Sequence, residues 1–112
     1  MSLNIQDMMA KVQELQGRVS DAQSKLRELE TTVEVGGGMV TVTINGKQEV
    51  RKIKLEKSVV TPDDIELLED LILSAVNKAI DQSQKMAQEE MGKATSGMIP
   101  SIPGLNLGNF GL

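Results

Sequence analysis

Apolar residues recur three and four positions apart, without interruption, from residue 5 to residue 33 of the chain. This spacing is typical of a heptad seam, by which one helix packs along another as a coiled coil. A helix with this seam would be about 40 Å long at 1.5 Å per residue, longer than the core of so small a protein. Because burying a large aliphatic side chain is worth about 1.5–3 kcal/mol, we expect the rest of the chain or a second copy to cover the seam. Its residues are Ile5, Met8, Val12, Leu15, Val19, Ala22, Leu26, Leu29 and Val33.

The composition is poor in aromatic residues and in the side chains of catalysis. One Phe and no Trp or Tyr leave an aliphatic and Met-rich core, which favours helix packing and oligomerisation. With no Cys and no His, the nucleophile–base pairs of acyl transfer and the usual zinc ligand sets are absent. We therefore expect no enzyme, no metal site, no cofactor and no small-molecule substrate. No secretory signal is visible, and no apolar run approaches the ~18 residues of a membrane span, so we expect a cytoplasmic protein without a membrane partner.

Local patterns predict an α-β-β-β-α subunit of the α+β class. The first long helix is expected from about residue 5 to residue 31. Three short strands follow at residues 33–35, 40–44 and 50–55, separated by three consecutive glycines and by Asn45-Gly46, which favours a type I′ hairpin. Alternation in the last strand predicts that Arg51, Ile53 and Leu55 share one face, with Val50, Lys52 and Lys54 on the other.

A second long helix is predicted after Thr61-Pro62, where Thr61 is the expected N-cap and Pro62 the first helical residue. Its first half, residues 65–80, is apolar on most sides, which indicates that the sheet and a second partner surround it. The second half is amphipathic and is expected to lie antiparallel to the first helix, ending at Gly92 or shortly after. Residues 1–94 thus form one domain. Residues 95–112 form an uncharged Gly/Pro-rich tail, expected to be disordered, with a docking peptide as the alternative.

Basic residues repeat every seven positions along the first helix, at Lys11, Arg18 and Lys25, each four residues after an acidic one. Such i,i+4 pairs can form a solvated helix face that pairs only with itself. The same repeat can also form a basic track, with charges about 10 Å apart, that follows phosphates. The sequence leaves both interpretations open.

Three segments, in this order, resemble the YbaB/EbfC family of bacterial nucleoid-associated proteins: residues 36–46, residues 68–79 and residues 90–97 with the tail after them. The resemblance covers almost the whole chain. It implies a homodimer that binds double-stranded DNA, organises the chromosome in the nucleoid and can affect transcription, with a long helix, a three-stranded antiparallel sheet and a second long helix in each subunit and with protruding helical arms.

Two sets of residues are candidates for these roles. Phosphate contacts are expected from basic side chains on the two helices, which would act as point charges and would not read the DNA sequence. Lys52 and Lys54 on the sheet form a rival surface. The dimer interface is expected on the sheet and the first half of the second helix. The candidates for DNA are Lys11, Arg18, Lys25, Arg27, Lys78, Lys85 and Lys93, and those for the interface are Val40, Val42, Ile44, Leu68, Ile72 and Val76.

Two alternatives to DNA binding belong to other classes of protein. Helical arms rich in Met and poor in aromatic residues also suit a prefoldin-like holdase, which would grip unfolded chains with Met8, Met9, Met86 and Met91. The chain could also be a protein-interaction scaffold with the tail as its ligand.

Overall fold

The computed structural model describes residues 4–96 and has the predicted order of elements. Helix α1 spans Ile5–Glu28, strands β1, β2 and β3 span Glu30–Val35, Val40–Asn45 and Val50–Leu55, and helix α2 spans Ile65–Thr95. Short 3₁₀ turns at Lys57–Val59 and Pro62–Asp64 join β3 to α2. The subunit is long and thin, with principal extents of 74 × 28 × 16 Å.

Helix α1 ends earlier than its heptad pattern predicts. Asn4 caps its start through an Oδ1 atom that accepts from the Gln6 N–H at 2.9 Å, and Leu29 is already in extended backbone. The predicted end at residue 31 is wrong because Thr31, Thr32 and Val33 are β-branched and pair with β2. The seam therefore stops at Leu26.

The sheet has the order β1-β2-β3, with both pairs antiparallel, and α2 packs on one of its faces. Val40, Val42 and Ile44 of the central strand are fully buried beneath Ala75 and Ala79 of α2. Alanine at these two helix positions lets the helix come close to the strand. These three side chains, which were predicted for the dimer interface, thus lie in the core of one subunit and have no exposed surface for a partner.

A β-bulge shifts the register of β3 between Thr43 and Ile44. Ile44 lies opposite Val50, whereas Thr43 lies opposite Lys52, so that one residue of β3 is left over between them. The predicted face of Val50 is therefore wrong, because the bulge moves Val50 to the apolar face of the sheet together with Ile53. Lys52 and Lys54 stay on the opposite face, as predicted.

The connection between β2 and β3 is wider than the predicted two-residue turn. It runs through residues 46–49, and its residue with positive φ is Gln48, at 63°, rather than Gly46. Gly46 is required for another reason, since a Cβ atom there would lie 2.8 Å from the carbonyl oxygen of Leu26. The Gly46 N–H donates to that oxygen at 2.8 Å and so satisfies a carbonyl group in the last turn of α1.

Helix α2 begins three residues after the predicted first helical residue. Thr61 and Pro62 start the second 3₁₀ turn, where Thr61 Oγ1 accepts from the Asp63 N–H at 3.3 Å. The N-cap of α2 is Asp64, whose Oδ1 accepts from the Leu67 N–H at 3.1 Å. The helix continues through Gly92 to Thr95. The predicted disordered tail lies, from residue 97 onward, outside the described residues.

Candidate nucleic-acid interface

The two helices form an antiparallel arm that projects from the sheet. Ala22 and Leu26 of α1 are buried, and Lys25 Nζ lies 2.8 Å from Glu90 Oε1 of α2. Further from the sheet, Arg18 of α1 lines the same concavity as Ala94 of α2. The arm, defined here as residues 5–28 with residues 83–95, carries six of the seven candidate DNA contacts, all except Lys78.

A buried polar cluster fixes the base of the arm. Asn45 Nδ2 donates to the Arg27 carbonyl oxygen at 3.1 Å and to Glu49 Oε1 at 2.7 Å. Ser83 Oγ of α2 donates to the Asn45 carbonyl oxygen at 2.7 Å and accepts from the Gln48 N–H at 3.1 Å. This Asn45–Ser83 cluster ties the end of α1, the hairpin and the middle of α2 together, and no local pattern in the sequence indicates it.

Basic residues of the seven-residue repeat follow one flank of α1, but two of them already have acidic partners. Arg18 Nη2 lies 3.1 Å from Glu14 Oε1, four residues earlier, which is the self-paired arrangement. Lys25 pairs with Glu90 across the arm instead of with Asp21. Within residues 4–96, Lys11 makes no ion pair and is exposed.

The groove between the two helices carries charges of both signs. Arg18, Lys25 and Lys93 line it together with Asp21 and Glu90. The hydrogen bond from Lys25 lowers the pKa of the Glu90 carboxyl, and the nearby positive charges of Lys25 and Lys93 lower it further. The groove thus has a small excess of positive charge. A phosphate could bind Lys25 there if the ion pair between Lys25 and Glu90 opened.

The remaining candidates lie apart from this groove. Arg27 and Lys47 line a separate concavity between α1 and the hairpin. Lys78 Nζ donates to the Glu34 carbonyl oxygen at 3.0 Å, which holds it against the edge strand β1, and Lys85 is exposed on α2. The seven predicted residues therefore form several groups. Lys47 was not among them. Its position directly after Asn45-Gly46, in a predicted turn, is the signal in the sequence that could have indicated an exposed cation there.

The rival surface is the face of the sheet opposite α2. Lys52 and Lys54 lie across from Thr43 and Thr41, and the Thr43 hydroxyl hydrogen-bonds the Thr32 hydroxyl at 2.9 Å. This face offers two exposed lysines beside threonines, but Glu34 of β1, opposite Thr41, also lies on it and offsets part of their charge.

Over residues 4–96, no group of acidic side chains is placed to hold a metal ion, and no helix is long and apolar enough to cross a membrane. Exposed lysine and arginine side chains donate hydrogen bonds and carry charge, which suits phosphate oxygens.

Comparison with known proteins yields one family. The model of the YbaB/EbfC DNA-binding family matches residues 1–98. A nucleoid-associated protein of Agathobacter rectalis is 44% identical over 95 residues, covering 85% of this chain and 84% of that protein. A nucleoid-associated protein of Alkaliphilus metalliredigens is 44% identical over 102 residues, with 91% and 88% covered.

Among solved structures, an uncharacterized protein from Helicobacter pylori has the same fold. The two superpose with a TM-score of 0.68 at 20% sequence identity, and the match covers 79% of this chain and 92% of the other.

Proposed function

The chain belongs to the YbaB/EbfC DNA-binding family, and from this membership we propose that it binds duplex DNA as a homodimer and helps to organise the bacterial chromosome. The family is a family of nucleoid-associated DNA-binding proteins and not of enzymes. The proposed place of action is the nucleoid, in the cytoplasm, where coverage of DNA would also affect transcription.

The observation that carries the proposed contact surface is the row of basic residues along one flank of the arm. Lys11, Arg18 and Lys25 follow α1 at about 10 Å intervals, and Lys93 of α2 joins them at the groove. Exposed ion pairs are typically worth only about 0–1 kcal/mol. The pair between Arg18 and Glu14 can therefore be exchanged for a phosphate contact at little cost, and release of counterions from DNA favours that exchange.

An uncovered apolar surface supports the proposed homodimer. Lys78 and Leu71 lie on the flank of α2 that faces β1 and its following turn. By the helical period, Leu73 lies on the opposite flank, toward the β3 side of the sheet. Leu73 is 62% exposed and Ile53 of β3 is 47% exposed, so that no part of the described chain, residues 4–96, covers this side of the core. We call the surface formed by Val50, Ile53, Leu73 and Val76 the β3 patch.

The β3 patch takes the place of the central-strand residues in the proposed interface. Val76, which is part of the patch, and Ile72, which borders it, are half-buried in the subunit. Leu68 is also half-buried. Two subunits joined through this patch would bury several large aliphatic side chains, each worth about 1.5–3 kcal/mol. The arms of both subunits would then project from the joined sheets and offer two basic flanks to DNA.

The test is DNA binding by a variant with Lys11→Gln, Arg18→Gln and Lys25→Gln, measured at several salt concentrations on unrelated duplexes. If a dimer makes about four to six phosphate contacts, log K falls against log salt with a slope of about −4 to −5. The variant should bind every duplex more weakly by a similar factor, and its slope should flatten by about 1 for each phosphate that it no longer neutralises. Lys52→Gln with Lys54→Gln is the matched control. Unchanged affinity in the first variant and weaker binding by the second would move the proposed DNA contact to the sheet.

The holdase alternative keeps one observation in its favour, since Met8 and Met9 are exposed at the far end of the arm. Met86 and Met91 are half-buried and offer less surface. A holdase would lose its grip on unfolded chains after Met8→Ser and Met9→Ser and would be insensitive to salt. The DNA-binding function predicts that these two changes leave the affinity for DNA unchanged.

A further inference from the structure

The apolar seam of α1 continues beyond the part that α2 covers. Burial falls along the seam from Leu26 and Ala22, which are buried, through Val19 and Leu15, which are half-buried. At the end of the helix, Val12 is 53% exposed and Ile5 is 73% exposed. We call this end, which also contains Met8 and Met9, the seam tip.

Among residues 4–96 nothing covers the seam tip, because α2 is too short to reach it. Lys25 pairs with Glu90, and the helices run antiparallel with the same rise per residue. Thr95, the last residue of α2, is therefore level with about residue 20 of α1, and α1 continues for about 20 Å past it. Gln13 and Gln16 lie beside the apolar residues of the tip, so that this side of the helix carries no charge.

We propose that residues 97–112 of the same chain cover the seam tip. This segment follows Ser96, which is the point where α2 stops beside α1. It has no charged residue, in keeping with the uncharged surface that it would meet. Its apolar residues are Met98, Ile99, Ile102, Leu105, Leu107, Phe110 and Leu112.

The length of the segment fits this role. Residues 97–112 can extend about 3.3 Å each and so span about 50 Å, more than twice the free length of α1. In the proposed arrangement the segment lies extended along α1, which suits Pro100 and Pro103 because proline disfavours the interior of a helix. The amides of Gln13 and Gln16 can then hydrogen-bond its main chain.

A second copy of the chain fits the seam tip less well. Two tips side by side would overlap over about 20 Å of a single helix, which gives much less than the 1,200–2,000 Å² or so that a stable interface between separate molecules buries. The chain's own C-terminal segment needs no such area, because its attachment to α2 gives it an effective concentration of order millimolar at the tip. Of the two interpretations of the tail, the docking peptide is thus the one that the seam tip favours.

Spin labelling tests this arrangement directly. The chain has no Cys, so Asn106→Cys provides one attachment point for a nitroxide in the full-length protein. In a ¹⁵N-labelled sample, the amide signals of residues 5–16 should lose intensity beside the nitroxide, and those of the sheet should not. Met8→Gln with Val12→Gln should restore the lost intensity. Ala10→Gln, an exposed change on the opposite side of α1, should leave the intensity loss unchanged.

Two outcomes would overturn the proposal. The first is an absence of intensity loss over residues 5–16, which would mean that the segment does not visit the tip. The second is an intensity loss that arises only between molecules. It would be seen when ¹⁵N-labelled protein without a nitroxide is mixed with nitroxide-labelled protein of natural isotope content. That result would make a second copy the occupant of the seam tip.

Discussion

At the scale of single residues, Asn45 decides how the arm leaves the sheet. Its side chain is fully buried, and its Oδ1 accepts from the N–H groups of Lys47 and Glu49, both at 3.0 Å. Its Nδ2 uses both hydrogens, on Arg27 and on Glu49. Only an amide of this length offers two donors and an acceptor with two lone pairs at this position, which explains asparagine here.

Asn45→Ala should therefore destabilise the subunit by about 2–3 kcal/mol, because buried backbone groups of the hairpin and of α1 lose their partners. The same change should raise the pKa of Glu49, which is lowered mainly by the hydrogen bond from Asn45 and, less strongly, by the nearby charges of Arg51, Arg27 and Lys47. Chemical denaturation and an NMR titration of Glu49 measure the two effects. Asn77→Ala, on the exposed side of α2, is the control and should change stability by less than about 0.5 kcal/mol. Equal stability of the two variants would contradict this role of Asn45.

At the scale of elements, the pair between Lys25 and Glu90 connects the two helices of the arm. The pKa of Glu90 is lower in the folded protein than in the unfolded chain, chiefly because of the hydrogen bond from Lys25. Its contribution to stability is therefore complete above the ordinary glutamate pKa of about 4.3 and is lost as the pH falls through the lowered value.

Glu90→Gln should remove this part of the acid dependence. Between neutral pH and about pH 3, the wild-type protein should lose more stability than the variant, as followed by thermal unfolding at each pH. Glu89→Gln removes the same charge from the adjacent exposed position and should keep the wild-type pH dependence. Parallel curves for the wild-type protein and Glu90→Gln would show that the pair does not help to hold the arm together.

Sequence periodicity predicted the elements well and their ends poorly. The heptad seam, the alternation in β2 and the turn glycines are local patterns, and they gave the correct order of two helices and three strands. The end of α1, the bulge opposite Val50 and the turn after Asn45 depend on contacts between residues far apart in the chain, such as the approach of Gly46 to Leu26. The same limit applies to the candidate interface, since a partner such as Glu90 for Lys25 follows from the packing of the arm and not from the spacing along α1.

At the scale of the whole molecule, the slender shape sets which surfaces remain exposed. A chain of this length folded compactly would have a radius of gyration of about 13 Å, whereas that of this subunit is 20.0 Å. A shape so extended has too little interior to bury all of its aliphatic side chains. Of the ten large apolar residues that are exposed within residues 4–96, seven lie in the β3 patch or at the seam tip. We assign the first surface to a second subunit and the second to the C-terminal segment.

Leu73→Glu should disrupt the β3 patch as a dimer interface without affecting the seam tip. Leu73 is exposed in one subunit, so a glutamate there is solvated in the monomer, but in the proposed dimer it would be a buried, unpaired charge. We expect a folded species of 12.1 kDa by analytical ultracentrifugation at micromolar concentration, where the wild-type protein sediments as a particle of twice that mass.

Ile72→Asp, by contrast, should also unfold the chain, because Ile72 packs against the core. Met9→Glu makes the same kind of change at the seam tip and should leave the dimer intact. A wild-type protein that sediments as a folded monomer would rule out the proposed homodimer, and a dimeric Leu73→Glu variant would place the interface elsewhere than the β3 patch.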